Sequence, residues 1–151
     1  MSEKLLISAC LLGDPVRYDG KSKPIADLDW VKQLQQQKRL YVICPEVAGG
    51  LPTPRPPAEK VEDKVLTELG IDVTPAFQSG AEKALVLCQQ HGIKYALLKA
   101  KSPSCGNKEI YDGSFANTLI QGMGITAELL TNNGIQVFSE LEISQIKTML
   151  S

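Results

Sequence analysis

The chain has 151 residues, and its 16 basic and 17 acidic side chains leave a formal net charge of −1. That length fits one domain, residues 1–151, and the 43% of hydrophobic residues can form a core without disulfides. The balanced charge argues against a dedicated nucleic-acid binder, which needs a basic surface. No apolar run approaches the ~20 residues of a membrane span, and Met1–Lys4 lacks the features of a signal peptide. We therefore expect a cytoplasmic protein.

Four short apolar runs predict buried β-strands at Lys4–Ser8, Leu40–Cys44, Lys94–Lys99 and Ile135–Phe138. Each run is nearly continuous rather than alternating, as is typical of strands that are covered on both faces. Apolar residues at helical spacing predict helices within residues 25–34, 77–88, 115–123, 126–133 and 143–150. We expect Thr126 to cap the fourth helix, and Ser139 and Glu142 to form a capping box before the fifth.

This order of elements predicts an α/β fold. Strands that alternate with helices form βαβ units, which produce a parallel sheet with helices packed on its faces. We therefore expect a three-layer sandwich, with a mostly parallel central sheet of about four or five strands and helices on both faces.

Two loops interrupt the pattern. Pro45–Pro57 contains five of the nine prolines, and proline removes a backbone donor, so we expect neither a helix nor a central strand there. Lys101–Gly113 is rich in turn-forming residues. Because the proline-rich loop lies in mid-domain and begins directly after a cysteine, a stiff loop that shapes a pocket fits it better than a linker does.

The four cysteines fall into two groups. Cys10, Cys44 and Cys105 each lie at or just beyond the end of a predicted strand, and the carboxyl ends of parallel strands share one edge of the sheet. These three thiols are therefore expected to converge. Cys88 lies on the apolar stripe of a predicted helix, where a cysteine packs as a small hydrophobe.

Spacing alone leaves the chemistry of the three thiols open. They could be packed thiols, ligands of a metal site or a nucleophile. The chain has no CxxC pair, which excludes the zinc-ribbon pattern, and His91 is its single histidine, which excludes a His-rich zinc site. Three thiolates without an imidazole suit zinc or an iron–sulfur cluster. A 4Fe-4S cluster held by three cysteines leaves one iron open, and that iron can bind a substrate as a Lewis acid.

Other polar residues in the same loops are candidates for catalysis or binding. Glu46 follows Cys44 in a stiff Cys-Pro-Glu segment and could act as general acid or base. Ser102 and Ser104 could donate hydrogen bonds to a developing anion. The remaining candidates are cations that could receive an anion, namely Arg17, Arg55 and Lys101. By residue type alone, Glu46, Ser102 and Ser104 could instead be ordinary loop residues with no functional role.

Several uncommon motifs occur in a distinctive order along the whole chain. They are Ser8-Ala9-Cys10-Leu11-Leu12-Gly13, Val16-Arg17-Tyr18-Asp19-Gly20, Cys44-Pro45-Glu46, Gly49-Gly50-Leu51-Pro52, Leu98-Lys99, Ser102-Pro103-Ser104-Cys105-Gly106 and Tyr111-Asp112-Gly113. In these motifs the chain resembles a bacterial family, formerly of unknown function, that includes the 2-thiouracil desulfurases.

The resemblance implies a cofactor and an activity. It implies an α/β enzyme whose 4Fe-4S cluster is held by Cys10, Cys44 and Cys105, with Glu46 and Ser102 as catalytic residues. Desulfuration of 2-thiouracil or a related thiolated pyrimidine would then yield uracil and sulfide by Lewis-acid activation at the open iron, without net redox change. The implied partner is a small-molecule pyrimidine rather than a nucleic acid or a membrane.

Two other interpretations make different predictions. A non-catalytic metal-binding module would contain zinc, or a cluster in a structural role. A sulfurtransferase that carries a cysteine persulfide would need a thiol of lowered pKa, and its activity would survive iron chelation. The sequence does not indicate an oligomeric state.

Overall fold

The computed structural model describes residues 3–22 and 24–150 of the chain. Met1, Ser2, Lys23 and Ser151 lie outside the described residues. Half of Met1–Lys4, the segment expected to lack the features of a signal peptide, therefore lies outside them. Within the described ranges, no helix is both long enough and apolar enough to span a bilayer.

The secondary structure alternates strands with helices for most of the chain. In order, the elements are β1 (Leu5–Ser8), a 3-10 turn (Ala9–Leu12), α1 (Leu28–Gln36), β2 (Leu40–Ile43), α2 (Pro45–Ala48), β3 (Ala58–Val61), β4 (Lys64–Thr67), α3 (Thr74–His91), β5 (Tyr95–Leu98), β6 (Glu109–Tyr111), β7 (Leu119–Gln121), α4 (Ile125–Asn132), β8 (Gln136–Ser139), a second 3-10 turn (Glu140–Glu142) and α5 (Ile143–Leu150).

The central sheet has four strands in the order β2-β1-β5-β8. All three pairings are parallel, with Leu5 opposite both Leu40 and Tyr95, and Leu98 opposite Ser139. The four predicted strands are thus confirmed, but β2 lies at an edge of the sheet and is only partly buried, with Val42 exposed. Residues 5–7 of β1 have no solvent exposure, because this strand is flanked on both sides and covered on both faces.

Helices cover the sheet on two faces, as the α/β prediction requires. On one face, Leu5 and Ile7 pack in a core with residues of α1 and α5. On the other face, Leu6 packs in a core with residues of α3 and α4, among them Cys88. The alternation along β1 divides its side chains between these cores. The three-layer sandwich is confirmed, and so is the core position of Cys88, which is 1% exposed.

The predicted helix at 115–123 is wrong. This segment belongs to an antiparallel hairpin in which β6 pairs with β7, Ile110 opposite Ile120. Its apolar residues match helical spacing, but Asp112-Gly113 before them and two glycines after them bound a strand of only three residues. Short apolar runs do not distinguish a strand from a helix by spacing alone.

Of two predictions about how helices begin, one is wrong and one is confirmed. Thr126 is not a cap, because Gly124 is the residue that precedes α4 and the buried Thr126 hydroxyl pairs with Ser104. The capping box of Ser139 and Glu142 is confirmed, with both reciprocal hydrogen bonds present at the second 3-10 turn.

The proline-rich segment contains more structure than predicted. Pro45 begins the one-turn helix α2, which contradicts the expectation of no helix in this loop. Proline is tolerated in the first turn, where its missing N–H has no intrahelical partner. Beyond the prolines, β3 and β4 form a second two-stranded hairpin.

Candidate active site

Three cysteines from separate strand ends line one cavity. Cys10 lies in the 3-10 turn after β1, Cys44 lies between β2 and α2, and Cys105 lies in the loop after β5. All three line the same cavity of about 640 Å³. This is the convergence that the positions of these residues after parallel strands predict.

Burial keeps these thiols protonated in the protein without cofactor. It raises the pKa of Cys10 to about 11, with Cys44 nearby as the next cause, and it also raises the pKa of Cys44. Burial raises the pKa of Cys105 to about 12, against the opposing effect of a hydrogen bond from Ser8. An attacking thiol needs a lowered pKa, so the raised pKa values of these thiols do not support the persulfide-carrying sulfurtransferase.

The donor set fits a cluster better than a single ion. Among residues 3–22 and 24–150, no group of three or more His, Cys, Asp or Glu side chains is close enough to hold one metal ion. A zinc site needs its sulfurs within about 2.3 Å of one point, whereas a 4Fe-4S cluster binds each cysteine through a different iron. Three thiols around a shared cavity therefore fit an iron–sulfur cluster.

Glu46 is held at this cavity by Arg55. Two guanidinium nitrogens lie 2.6 and 2.8 Å from Glu46 Oε2, and both residues line the cavity. A third bond runs from Arg55 to the carbonyl of Val16, at 3.0 Å. Glu46 Oε1 accepts no hydrogen bond from the described residues. Arg55 therefore fixes the carboxylate with one oxygen and leaves the other available to a ligand.

A close contact between two helices sets the position of Cys44 and Glu46. A Cβ at Gly80, in the middle of α3, would overlap the carbonyl of Pro45, and a Cβ at Gly49 would overlap the carbonyl of Ala76. The two helices therefore approach backbone to backbone. Because Cys44 and Glu46 flank Pro45, this contact holds them close to α3.

Ser102 organises the turn that carries Cys105. Its hydroxyl oxygen accepts hydrogen bonds from the backbone N–H groups of Ser104, at 3.1 Å, and Cys105, at 3.0 Å. The side chain also lines the cavity. In the described part of the chain this hydroxyl donates to no acceptor, so its hydrogen can be given to a ligand.

Comparison with known proteins agrees with this geometry. The 2-thiouracil desulfurase family model matches residues 5–142. The chain belongs to this family. YbbK, an uncharacterized protein of Bacillus subtilis (strain 168), is 38% identical over 152 residues, which span 94% of this chain and 99% of YbbK.

A solved structure of a [4Fe-4S]-dependent thiouracil desulfidase, TudS, superimposes on this desulfurase-family chain with a TM-score of 0.95. The two are 53% identical in sequence, and the match covers 98% of this chain and 97% of TudS. The match therefore extends over nearly the whole of both chains.

The other four predicted site residues of this family member differ in whether they line the cavity and in whether they are free to contact a ligand. Arg17 lines the cavity and lies 3.9 Å from Asp19, and the exposed Lys101 also lines it. Ser104 does not line it, because this residue is fully buried and its hydroxyl pairs with Thr126 at 2.8 Å. That placement does not support the substrate contact predicted for Ser104. Arg55 is occupied by Glu46 rather than open to an anion.

Three residues of the site were missed by sequence reasoning. Ser8 donates to Cys105 Sγ at 3.6 Å and accepts from the backbone of Lys99 at 3.1 Å. The Lys99 ammonium lines the cavity and lies 2.7 Å from Glu140. Ser8 and Lys99 lie at or just beyond the ends of β1 and β5, and the strand-end rule that selects Cys10 also selects them. The same rule selects Glu140, which comes directly after the end of β8.

Proposed function

We propose that this chain removes sulfur from 2-thiouracil or a related thiolated pyrimidine, with uracil and sulfide as products. Cys10, Cys44 and Cys105 would hold the 4Fe-4S cluster as thiolates. The observation that carries the proposal is that these thiols line one cavity together with Glu46 and Ser102. The family match and the likeness to TudS support the same activity.

The overall reaction is a hydrolysis. Water supplies the oxygen that replaces sulfur on the ring carbon, and its two protons leave with the sulfur as hydrogen sulfide, so no electron donor is needed. When bound, a cluster with three cysteine ligands supplies an iron without a protein ligand, which is a Lewis acid for sulfur.

Glu46 would serve as the general base and then as the general acid. Its Oε1, which accepts no hydrogen bond from the described residues, can take a proton from the attacking water. The same carboxyl can then return that proton to the departing sulfur. Arg55 holds Oε2 at 2.6 Å and so keeps the carboxylate in one orientation during both transfers. Positioned acid–base groups of this kind contribute about 10²–10⁴-fold to rate.

Ser102 would stabilise charge on the pyrimidine. Its oxygen is held by two backbone N–H groups, so the hydroxyl hydrogen can point to the ligand. A donor held in advance stabilises an anion more effectively than one that must reorient. Arg17 and Lys101, which line the same cavity, would add positive charge around the substrate.

A small free pyrimidine fits the site better than a nucleic acid. The net charge of −1 offers no basic surface for a phosphate backbone. Four free thiols support a reducing compartment, and we place the protein in the cytoplasm on that basis. One central sheet bears every proposed ligand, which supports a single domain.

The test is reconstitution of the cluster without oxygen, followed by assays of iron, acid-labile sulfide, uracil and released sulfide. We expect equal amounts of uracil and sulfide from 2-thiouracil, with no added reductant. A protein with a full cluster that turns over no thiolated pyrimidine would contradict the proposal. Zinc without iron would support the binding module, and activity that survives iron chelation would support the sulfurtransferase.

A further inference from the structure

The loop between β6 and β7, residues 112–118, has an unusual backbone next to the cavity of the three thiols. Gly113, Phe115 and Asn117 all have left-handed φ angles, of +94°, +59° and +57°. A bulky aromatic residue rarely adopts such an angle, which costs roughly 1–2 kcal/mol. Strain of this kind persists where the surrounding structure enforces it, and it often occurs at functional sites.

A carboxylate from the other hairpin holds this loop in place. Oε1 of Glu59, in β3, accepts hydrogen bonds from the backbone N–H groups of Gly113, at 2.9 Å, and Phe115, at 3.1 Å. At the base of the loop, the N–H of Asp112 donates to the carbonyl of Thr118 at 3.0 Å. The loop is thus fixed at both its base and its tip.

This loop brings the right groups for a flat heterocycle to the cavity. Tyr111, Phe115 and Asn117 line the same cavity as the three thiols. Aromatic side chains stack on nucleobases, which contributes about 1–3 kcal/mol per base. The Asn117 side chain bonds to no described residue, and its amide offers one acceptor and two donors. A pyrimidine edge presents the matching pair, a ring N–H and a carbonyl oxygen.

We propose that residues 111–117 are the ring-recognition element of the site, in which Phe115 stacks on the pyrimidine and Asn117 bonds to its N–H and carbonyl edge. This inference rests on the proposed function and extends it, because the thiols would select sulfur while the loop selects the ring. It assigns specificity to a hairpin that carries none of the proposed cluster ligands.

The test compares three substitutions in the cluster-loaded protein. Phe115→Leu removes the aromatic face but keeps a bulky side chain, Phe115→Tyr keeps the face, and Asn117→Asp keeps the size and tolerates the left-handed backbone. Ile120→Ala is the control, since Ile120 is an exposed residue of the same hairpin that does not line the cavity. The measurements are iron content, the dissociation constant of uracil by calorimetry, and kcat and KM for 2-thiouracil.

We expect Phe115→Leu and Asn117→Asp each to raise the uracil dissociation constant and KM about tenfold, with kcat within about threefold and iron content unchanged, in line with the energy of stacking. Phe115→Tyr, which keeps the aromatic face, should lose less binding than Phe115→Leu, and Ile120→Ala should match the parent chain. The inference is overturned if the first two substitutions leave both constants within twofold, or if Ile120→Ala produces the same losses, which would indicate a structural role.

Failure of the proposed function gives a different result. In that case the parent chain with a full cluster releases no sulfide from 2-thiouracil, whatever residue stands at position 115. Uracil binding that still depends on Phe115 and Asn117 would then support ring recognition by itself. Absence of uracil binding in an inactive parent chain would overturn both proposals.

Discussion

The carboxyl edge of the sheet and the core beneath α3 both bury cysteine thiols, but they give them different surroundings. Burial raises the pKa of Cys88 to about 11, the same value as for Cys10. Cys88 has no charged group among the causes of its shift, whereas Cys44, Lys99, Arg17 and Glu140 all act on Cys10. Burial alone therefore does not distinguish a proposed ligand such as Cys10 from the core residue Cys88, whereas neighbouring thiols and charged groups do.

Removing single thiols is the most severe test of this contrast. We expect the 4Fe-4S cluster to be abolished by each of three substitutions, Cys10→Ala, Cys44→Ala and Cys105→Ala. With three cysteine ligands one iron already has no protein ligand, and each substitution would leave a second iron without one. Cys88→Ala should retain the cluster. Iron and acid-labile sulfide per chain, measured after reconstitution without oxygen, check this prediction. A full cluster in any of the first three variants would refute the assignment of that residue.

Glu46→Gln separates chemistry from cluster binding at the sheet edge. Glutamine has the same shape but cannot take up a proton at neutral pH, so desulfuration should fall about 10²–10⁴-fold. Iron content should not change. The matched control is Glu82→Gln, at an exposed position of α3 outside the cavity. Activity within a few-fold of the parent would rule out acid–base catalysis by Glu46.

Gly80→Ala tests whether the position of Cys44 at the carboxyl edge of the sheet depends on the close contact between α2 and α3. Alanine normally favours a helix by about 1 kcal/mol over glycine, but here its Cβ would overlap the carbonyl of Pro45. We expect a net loss of about 1–3 kcal/mol, the range for overpacking, together with reduced cluster content as Cys44 moves. Urea unfolding and iron analysis measure the two effects. The control is Gln78→Ala, at an exposed position of the same helix. An increase in the free energy of unfolding of Gly80→Ala would contradict the close contact between Gly80 and Pro45.

The smallest expected effect concerns Cys88 and pH. Its pKa is about 11 in the folded chain against an ordinary value of 9.0. The unfolded chain therefore ionises first, and the stability present below pH 9 is lost as the pH rises towards 11. Cys88→Ala should cost about 1 kcal/mol at pH 7. That deficit should shrink above pH 9 by up to about 1.4 kcal/mol per pH unit.

Urea unfolding of the cluster-free protein at pH 7, 9 and 10 measures this difference. Because every other side chain is the same in the two proteins, only the difference between the parent and Cys88→Ala reports on this thiol. A deficit that stays constant over the whole range would show that Cys88 has the same pKa in both states.

The central sheet and the convergence of the thiols could be predicted because both follow from strong rules. Four continuous apolar runs separated by helical segments leave few alternatives to a parallel sheet, and parallel strands deliver their carboxyl ends to one edge. Cys88 could be assigned to the core for the same reason, since its helical stripe is long enough to identify its face.

The parts that could not be predicted depend on contacts between distant segments. The apolar spacing of residues 115–123 predicts a helix where the structure has β7, because this strand has only three residues and its pairing with β6 is not visible in the local pattern. The pairing of Arg55 with Glu46 depends on how the proline-rich loop folds back, and no local pattern encodes that. Residue type does not distinguish Ser104 from Ser102. In the structure Ser102 lines the cavity, whereas the Ser104 hydroxyl pairs with Thr126.

The three candidate ligands come from three different crossovers of the chain, and this dictates an order of maturation. All three thiols meet only when β1 lies between β2 and β5, so these three strands must be paired before a cluster can gain its full set of proposed ligands. The two apolar cores are built mainly from the sheet and its helices, and of their buried residues in the described part of the chain only Cys10 and Cys105 also line the cavity. The polypeptide should therefore stay folded when the cofactor is stripped and accept it again afterwards.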